Sequence, residues 1–332
     1  IRNENPIFNI GGDIFYRVTP GIKAALTFNT DFAQTEVDSR QINLTRFSLL
    51  FPEKRGFFLD GAQYFNFGIN GDRENNYGKR NIPFFSRRIG LDPDGNPIPI
   101  IWGAKVTGQA GRWNIGFQNI MDKPDDSRNF TVARVTRNIG NQSYVGLIGT
   151  KGNAISDASN ELIGFDARLA TAKFKGDKVL ALTAFGMKSF TEGLEGKDIS
   201  WGAEVNYPND FLKVRLGHQE IGENYRAGIG FVPRLGIREN YAEAAVGPRP
   251  EKYGIIQINF RAGADFITDY NNKLLTREIP LTPFEIEMIA GDEFEISTIS
   301  KYEYLNEDFE IFPSDSITIY AGTYDFWRHT IE

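Results

Sequence analysis

Residues 201–207 read WGAEVNY, and their alternation sets the fold. In an extended chain successive side chains point to opposite faces. Trp201, Ala203, Val205 and Tyr207 therefore share one face, and Gly202, Glu204 and Asn206 share the other. The same two-residue period recurs along the chain. In WGAKVTG (102–108) Trp102, Ala104 and Val106 oppose Gly103, Lys105 and Thr107. In RWNIGFQN (112–119) Trp113, Ile115 and Phe117 oppose Asn114, Gly116 and Gln118. GFDARLATA (164–172), FLKVRLGH (211–218) and IIQINFRAGA (255–264) repeat the pattern. Turn punctuation separates these runs, as in AGR (110–112), FKGDK (174–178) and YPND (207–210). Strands near ten residues joined by short turns and longer loops predict an up-and-down antiparallel meander.

Two architectures produce this pattern. A soluble β-sandwich turns its apolar faces inward. A transmembrane β-barrel turns them to lipid and lines its lumen with the polar ones. Three features favour the barrel. The polar faces carry Gly beside charge, the apolar faces mix Ala and Gly with large residues, and Trp102, Trp113, Tyr144, Trp201 and Tyr207 lie near strand ends, where an aromatic girdle belongs.

Composition removes several functions. The 332-residue chain has no cysteine, so disulfides and thiolate chemistry are excluded. Its two histidines, His218 and His329, are far apart and supply neither a histidine-rich metal site nor a catalytic triad. A formal net charge of −6 gives no nucleic-acid footprint. No apolar run is long enough for a transmembrane helix. Ile1 is not a natural start and the last residues still read as strand, so the expectation is a fragment or a processed chain.

Several segments carry a family resemblance: GGDIFYRVTPGIKAALTFNTDFAQTEVDSRQINLTRFSLLFPEKRGFFLDGAQYFNFG (11–68), PFFSRRIGL (83–91), GAKVTGQAGRWNIGFQN (103–119) and NFTVARVTRNIGNQSYVGLIGT (129–150). Together they resemble the domain-of-unknown-function family 5916, over about residues 7–150. The Phe-Pro-Glu-Lys-Arg element followed by Phe-Phe-Leu is its most specific part; where such motifs commonly have Pro, this chain has Gly56. The resemblance implies an outer-membrane β-barrel of Gram-negative bacteria. It also implies an N-terminal module similar to family-9 carbohydrate-binding modules, absent from this chain, and no catalytic residue to carry over.

The 43–61 stretch mixes rings with charges. Its predicted role is an inward-folded plug or constriction formed by residues 43–68 and 80–90, within a single barrel domain spanning 1–332. Arg46, Glu53, Lys54, Arg55, Asp60, Arg87 and Arg88 would form a lumen charge network, since lumen charges must be paired or wet. Phe51, Phe57 and Phe58 would narrow the passage. The alternative is a periplasmic-side turn that supports barrel closure and the junction with the missing module.

Other constellations are weaker. Asp92, Asp94 and Asn96 have calcium-loop spacing but lack the bidentate Glu, and turn chemistry explains them. Asp31 with Glu36 and Asp38, or Asp125 with Asp126, could serve glycoside hydrolysis only at a geometry that sequence does not give. His218 reads as an interface residue, and GIGF (228–231) lacks the context of a nucleotide loop. The acidic run Glu285–Glu310 reads as a solvated face or an acidic rim.

The sequence thus predicts an all-β, antiparallel up-and-down transmembrane barrel of about 14 or more strands, complete or cut short. Located in the bacterial outer membrane, it would act as a pore or scaffold linked to glycan binding or uptake. Its partners would be the lipid bilayer, a glycan ligand and an envelope protein, with no nucleic acid, cofactor, metal or catalytic residue. The barrel part of a carbohydrate-active hydrolase and a structural docking barrel are the alternatives.

Overall fold

The computed structural model describes residues 11–29, 47–69, 81–91, 98–122, 127–250, 252–312 and 317–332. Strands β1 (Gly12–Thr19) and β2 (Ile22–Phe28) form a hairpin. After a long insert come β3 (Ile100–Ala110), β4 (Trp113–Asp122), β5 (Arg128–Asn138), β6 (Tyr144–Lys151), β7 (Asn160–Phe174), β8 (Lys178–Thr191) and β9 (Ile199–Pro208). The chain continues through β10 (Leu212–Ile221), β11 (Ile237–Val246), β12 (Ile255–Asp269), β13 (Leu274–Met288) and β14 (Glu293–Leu305). A small hairpin, β15 (Phe309–Phe312) and β16 (Ile317–Ile319), precedes β17 (Gly322–Ile331). The strands pair antiparallel in chain order from β1 to β14, and β17 pairs with β14. The result is one 15-stranded all-β sheet whose edges, β1 and β17, are not paired with each other, so the sheet is open. Among the described residues the one α-helix, α1 (Gly56–Leu59), is a single turn.

The two ends of the sheet differ. Tight turns at 20–21, 111–112 and 175–177 mark one rim. The opposite rim carries the insert between β2 and β3 and the connections 152–159, 192–198 and 222–236.

The alternation predicted from sequence is present, and its two faces are reversed from those of a water-soluble sheet. Register aligns Leu169, Leu182, Val205, Leu216, Ala242 and Ala264 across β7–β12 on one face. This outer face is open: Leu147 is 56 %, Phe165 50 % and Leu216 49 % exposed. The polar positions face the other way, and those beneath the insert are covered. Arg134 is 1 % and Asp166 0 % exposed.

The cover is the insert. Phe57, Phe58, Phe65, Phe67 and Ile89 bury their side chains with Ile120, Phe130, Ile148 and Leu162 of the strands. Each such burial contributes about 1.5–3 kcal/mol relative to exposure. The strands make room for rings by carrying glycine at the contact. A Cβ on Gly116 would stand 2.9 Å from Phe65, and one on Gly164 would stand 2.8 Å from Phe67. The apolar core of the molecule thus lies between the insert and the polar face of the sheet.

The predicted girdle needs one correction. Trp102, Trp113, Trp201 and Tyr207 share the parity of the outer face, but Tyr144 does not. Register sets Tyr144 opposite Arg168, and its hydroxyl donates to Asp166 at 3.3 Å on the inner face. It is the first residue of β6, so the sequence before it offers no alternation from which to read its side.

Candidate functional site

The candidate site is the contact between the insert and the inner face. Its first element is a charge knot within the insert. The Arg55 guanidinium donates to both Glu53 carboxylate oxygens, at 2.8 and 2.7 Å. It also donates to the backbone oxygens of Ile89 and Ser86, each at 2.7 Å. Ser86 Oγ donates to Glu53 at 2.7 Å. The backbone N–H groups of Lys54 and Arg55 donate to the same carboxylate, each at 3.0 Å, just ahead of α1. Burial pushes the Glu53 carboxyl up, but the hydrogen bonds and charge of Arg55, with Ser86, outweigh it and hold the group below its usual value. Arg55 also lies over the Phe58 ring at 4.1 Å, and Phe58 meets Phe57 edge-on at 5.3 Å. One knot therefore ties two stretches of the insert, 53–58 and 86–89.

A second cluster joins the insert to β2 and β3. Asp60 pairs with Lys23 at 2.9 Å and with Lys105 at 3.8 Å. The Lys105 ammonium also donates to the backbone oxygens of Phe57 and Asp60 and lies 4.7 Å from the Phe57 ring. A third cluster joins it to β5–β7. Arg134 pairs with Asp166 at 2.6 Å, and its Nε donates to the backbone oxygen of Asn66 at 3.1 Å. The Gly68 N–H donates to Asp166 at 2.9 Å. An ion pair of two fully buried groups persists only when further hydrogen bonds satisfy it. Here the insert backbone supplies two of them.

The long connection between β10 and β11 completes the cover. Ile82 and Phe231 exchange backbone hydrogen bonds at 2.9 and 2.8 Å, and the Phe85 N–H donates to Ile229 at 2.8 Å. Tyr225, Ile229 and Phe231 are buried. Asn160 accepts from the Gly228 N–H at 2.9 Å and donates to the Arg226 oxygen at 3.0 Å, fixing this loop to β7.

The predicted residues divide among these clusters rather than forming one network. Glu53 and Arg55 are the core of the knot, with Lys54 and Arg87 half-buried beside it. Asp60 belongs to the second cluster. Arg88 stacks 5.7 Å from Phe231, where burial pulls its guanidinium below the ordinary value. Phe57 and Phe58 are buried and Phe51 is half-buried. Arg46 lies outside the described residues, as do Asp31, Glu36, Asp38, Asp92, Asp94, Asn96, Asp125 and Asp126. Sequence reasoning did not select Phe65, Phe67, Lys105, Arg134 or Asp166 as site residues. Lys105 and Asp166 carry a legible signal, a charge on the polar parity of a strand beside Gly or Ala.

The acidic run follows strand pairing. Glu285 lies opposite Glu295 and Glu287 opposite Glu293 in β13–β14. Like charges directly opposite are destabilising. Arg261 of β12 offsets the first pair by joining Glu285 and standing 3.6 Å from Glu295. Carboxylate oxygens of Glu285, Glu293 and Glu295 lie within 4.8 Å of one another. With Arg261 already among them, the group has its cation. His218 lies on the outer face against Trp201, with ring centres 5.0 Å apart.

Fold and site together define a class: an all-β antiparallel sheet protein whose long insert covers a polar inner face. Within that class, residues 2–102 match the model of the family described as Domain of unknown function (DUF5916). The matched span runs through β1, β2 and the insert into β3, and bears out the resemblance carried by residues 11–68 and 83–91. The resemblance read from residues 103–150 lies almost wholly beyond it. Searches of curated proteins and of solved structures returned no match.

Proposed function

We propose that this chain is the wall of an outer-membrane β-barrel whose inward-folded insert constricts or plugs the lumen. It would act as a pore or scaffold at the bacterial envelope. The observation that carries this reading is the reversed polarity of the sheet. Monomeric soluble proteins rarely leave contiguous apolar patches beyond a few hundred Å2 in water. Here an apolar face runs across β7–β12 with nothing over it among the described residues, while Lys105, Arg134, Asp166 and Glu204 point inward and are buried. Lipid against the outer face resolves that polarity. The arrangement of tight turns on one rim and long connections on the other is also that of outer-membrane barrels, whose longer loops face outside.

An open sheet edge is not tolerated in lipid. The barrel reading therefore requires β1 and β17 to pair, either with each other or through further strands. The same two edges favour a second reading, a scaffold that docks an envelope protein by strand addition. A glycan remains the ligand class implied by the family resemblance.

Fractionation of cells expressing the full-length protein tests the membrane reading. The expected result is extraction only by detergent, with a gel mobility shift on boiling. Recovery in the soluble fraction would overturn it and make a soluble glycan-binding role the leading one.

A further inference from the structure

Beneath the insert lies a cavity of about 610 Å3, closed on one side by Gln63, Tyr64 and Asn66 and on the other by the inner faces of β4–β10. It lies on the tight-turn side of the Arg134–Asp166 pair. Register builds its wall: Asn138, Tyr144, Arg168, Thr183 and Glu204 follow one another across β5–β9 as direct cross-strand neighbours. Asn206 and Arg215, paired across β9 and β10, extend it.

Two guanidinium groups in this wall are incompletely used. Arg168 makes one weak hydrogen bond, to Thr183 Oγ1 at 3.4 Å, and forms no ion pair among the described residues. Arg215 stands 3.9 Å from Glu204 and 3.6 Å from Glu243, distances of charge proximity without a hydrogen bond. Glu204 is already engaged by the Tyr241 hydroxyl at 2.6 Å. Arg134, also in the wall, is neutralised by Asp166. Arg134 and Arg215 thus have carboxylates beside them, and Arg168 is the lining cation that no described carboxylate contacts. A guanidinium withdrawn from bulk water favours an anion that can take its planar fork. The remaining lining is amide and phenol: Asn114, Asn138, Asn206, Gln63 and Tyr64 offer donors and acceptors suited to hydroxyl groups. The volume matches small-molecule sites.

We propose that this chamber is a binding subsite for a small hydroxylated anion, a sugar acid or sugar phosphate, with Arg168 and Arg215 holding its charged group. Binding needs only the insert in place, so the proposal stands or falls separately from the membrane location.

Calorimetric titration of the purified full chain with glucuronate, glucose 6-phosphate and glucose tests it. The expected result is binding of at least one of the two anions and markedly weaker binding of glucose. Which anion binds separates carboxylate from phosphate recognition. Arg168→Gln is expected to weaken binding by roughly tenfold or more, the loss of one charge-assisted contact. Arg168→Lys should retain part of the affinity. Lys178→Gln, at the start of β8 and outside the cavity lining, should change nothing. Unchanged melting of Arg168→Gln shows that the chamber is intact, and Arg215→Gln provides a second variant if it is not. Binding of glucose equal to that of glucuronate, no binding of either anion, or full affinity in a folded Arg168→Gln would overturn the proposal.

Discussion

The wall under the insert and the wall beyond it are made of the same kind of strand, yet they handle charge differently. In β3–β9 the inner face holds Lys105, Arg134 and Asp166 almost fully buried, each satisfied in part by backbone groups of the insert. Among the described residues, the insert backbone supplies no such bonds to the charges of β12–β14. There the charges pair strand to strand, as Lys301 with Glu278 at 2.8 Å and Arg261 with Glu285 and Glu295, and all of these but the buried Glu285 keep partial contact with solvent. The difference comes from what lies over the strands, not from their alternation. A charge is structural where the insert covers it and adjustable where it does not.

The sharpest way to break this comparison is to remove one partner in each region. Asp166→Ala leaves Arg134 buried without its counter-charge, a loss of about 3–5 kcal/mol. Glu278→Ala removes half of a partly exposed pair and should cost about 0–1 kcal/mol. Chemical denaturation of the two variants measures both. Similar losses would mean that the insert does not distinguish the two walls.

A middle-sized effect is expected from the glycines under the rings. Gly164→Leu drives a side chain into Phe67, with overpacking that costs about 1–3 kcal/mol. Gly186→Leu, on the outer face with open space at its Cβ, should be nearly neutral. Limited proteolysis between residues 47 and 69 reads this out, with faster cleavage in Gly164→Leu alone.

The smallest effect is a pH dependence of the insert. The folded structure holds the Glu53 carboxyl below its usual value of 4.5. A group with a depressed folded pKa adds stability that is complete above the unfolded value and is lost as pH falls through the folded one. Hydrogen-exchange protection of residues 53–58 should therefore decline as pH falls from about 4.5. Glu53→Gln should lower protection at neutral pH and flatten that decline. An unchanged acid profile in Glu53→Gln would place the acid sensitivity elsewhere.

Much of this fold is legible in the sequence, because alternation is a local property. Trp201 to Tyr207, or Ile256 to Ala262, show a strand and its two faces without reference to any other part of the chain. Which face is covered is not local. Lys105 and Asp166 are visible as polar-face charges, but their meeting with Asp60 and Gly68 depends on the path of the insert. The 43–61 stretch did announce that rings and charges share a small space. Its partition into a Glu53–Arg55 knot, an Asp60 cluster and an Arg88–Phe231 stack depends on contacts between distant segments. Tyr144 shows the same limit at the end of a strand, where no neighbour precedes it to fix the parity.

The placement of the insert between β2 and β3 also orders the assembly of the sheet. From β3 to β14 every neighbouring pair is joined by a hairpin connection, so each strand meets its partner soon after it is made. Phe28 and Trp102 pair only after the whole insert has been bridged. Loop closure costs more as the loop lengthens, although each doubling adds only about 0.6 kcal/mol. Contacts distant in sequence form slowly for that reason. The seam between β2 and β3 is therefore expected to form later than the hairpins of β3–β14, and with it the contact of Asp60 to Lys23 on β2.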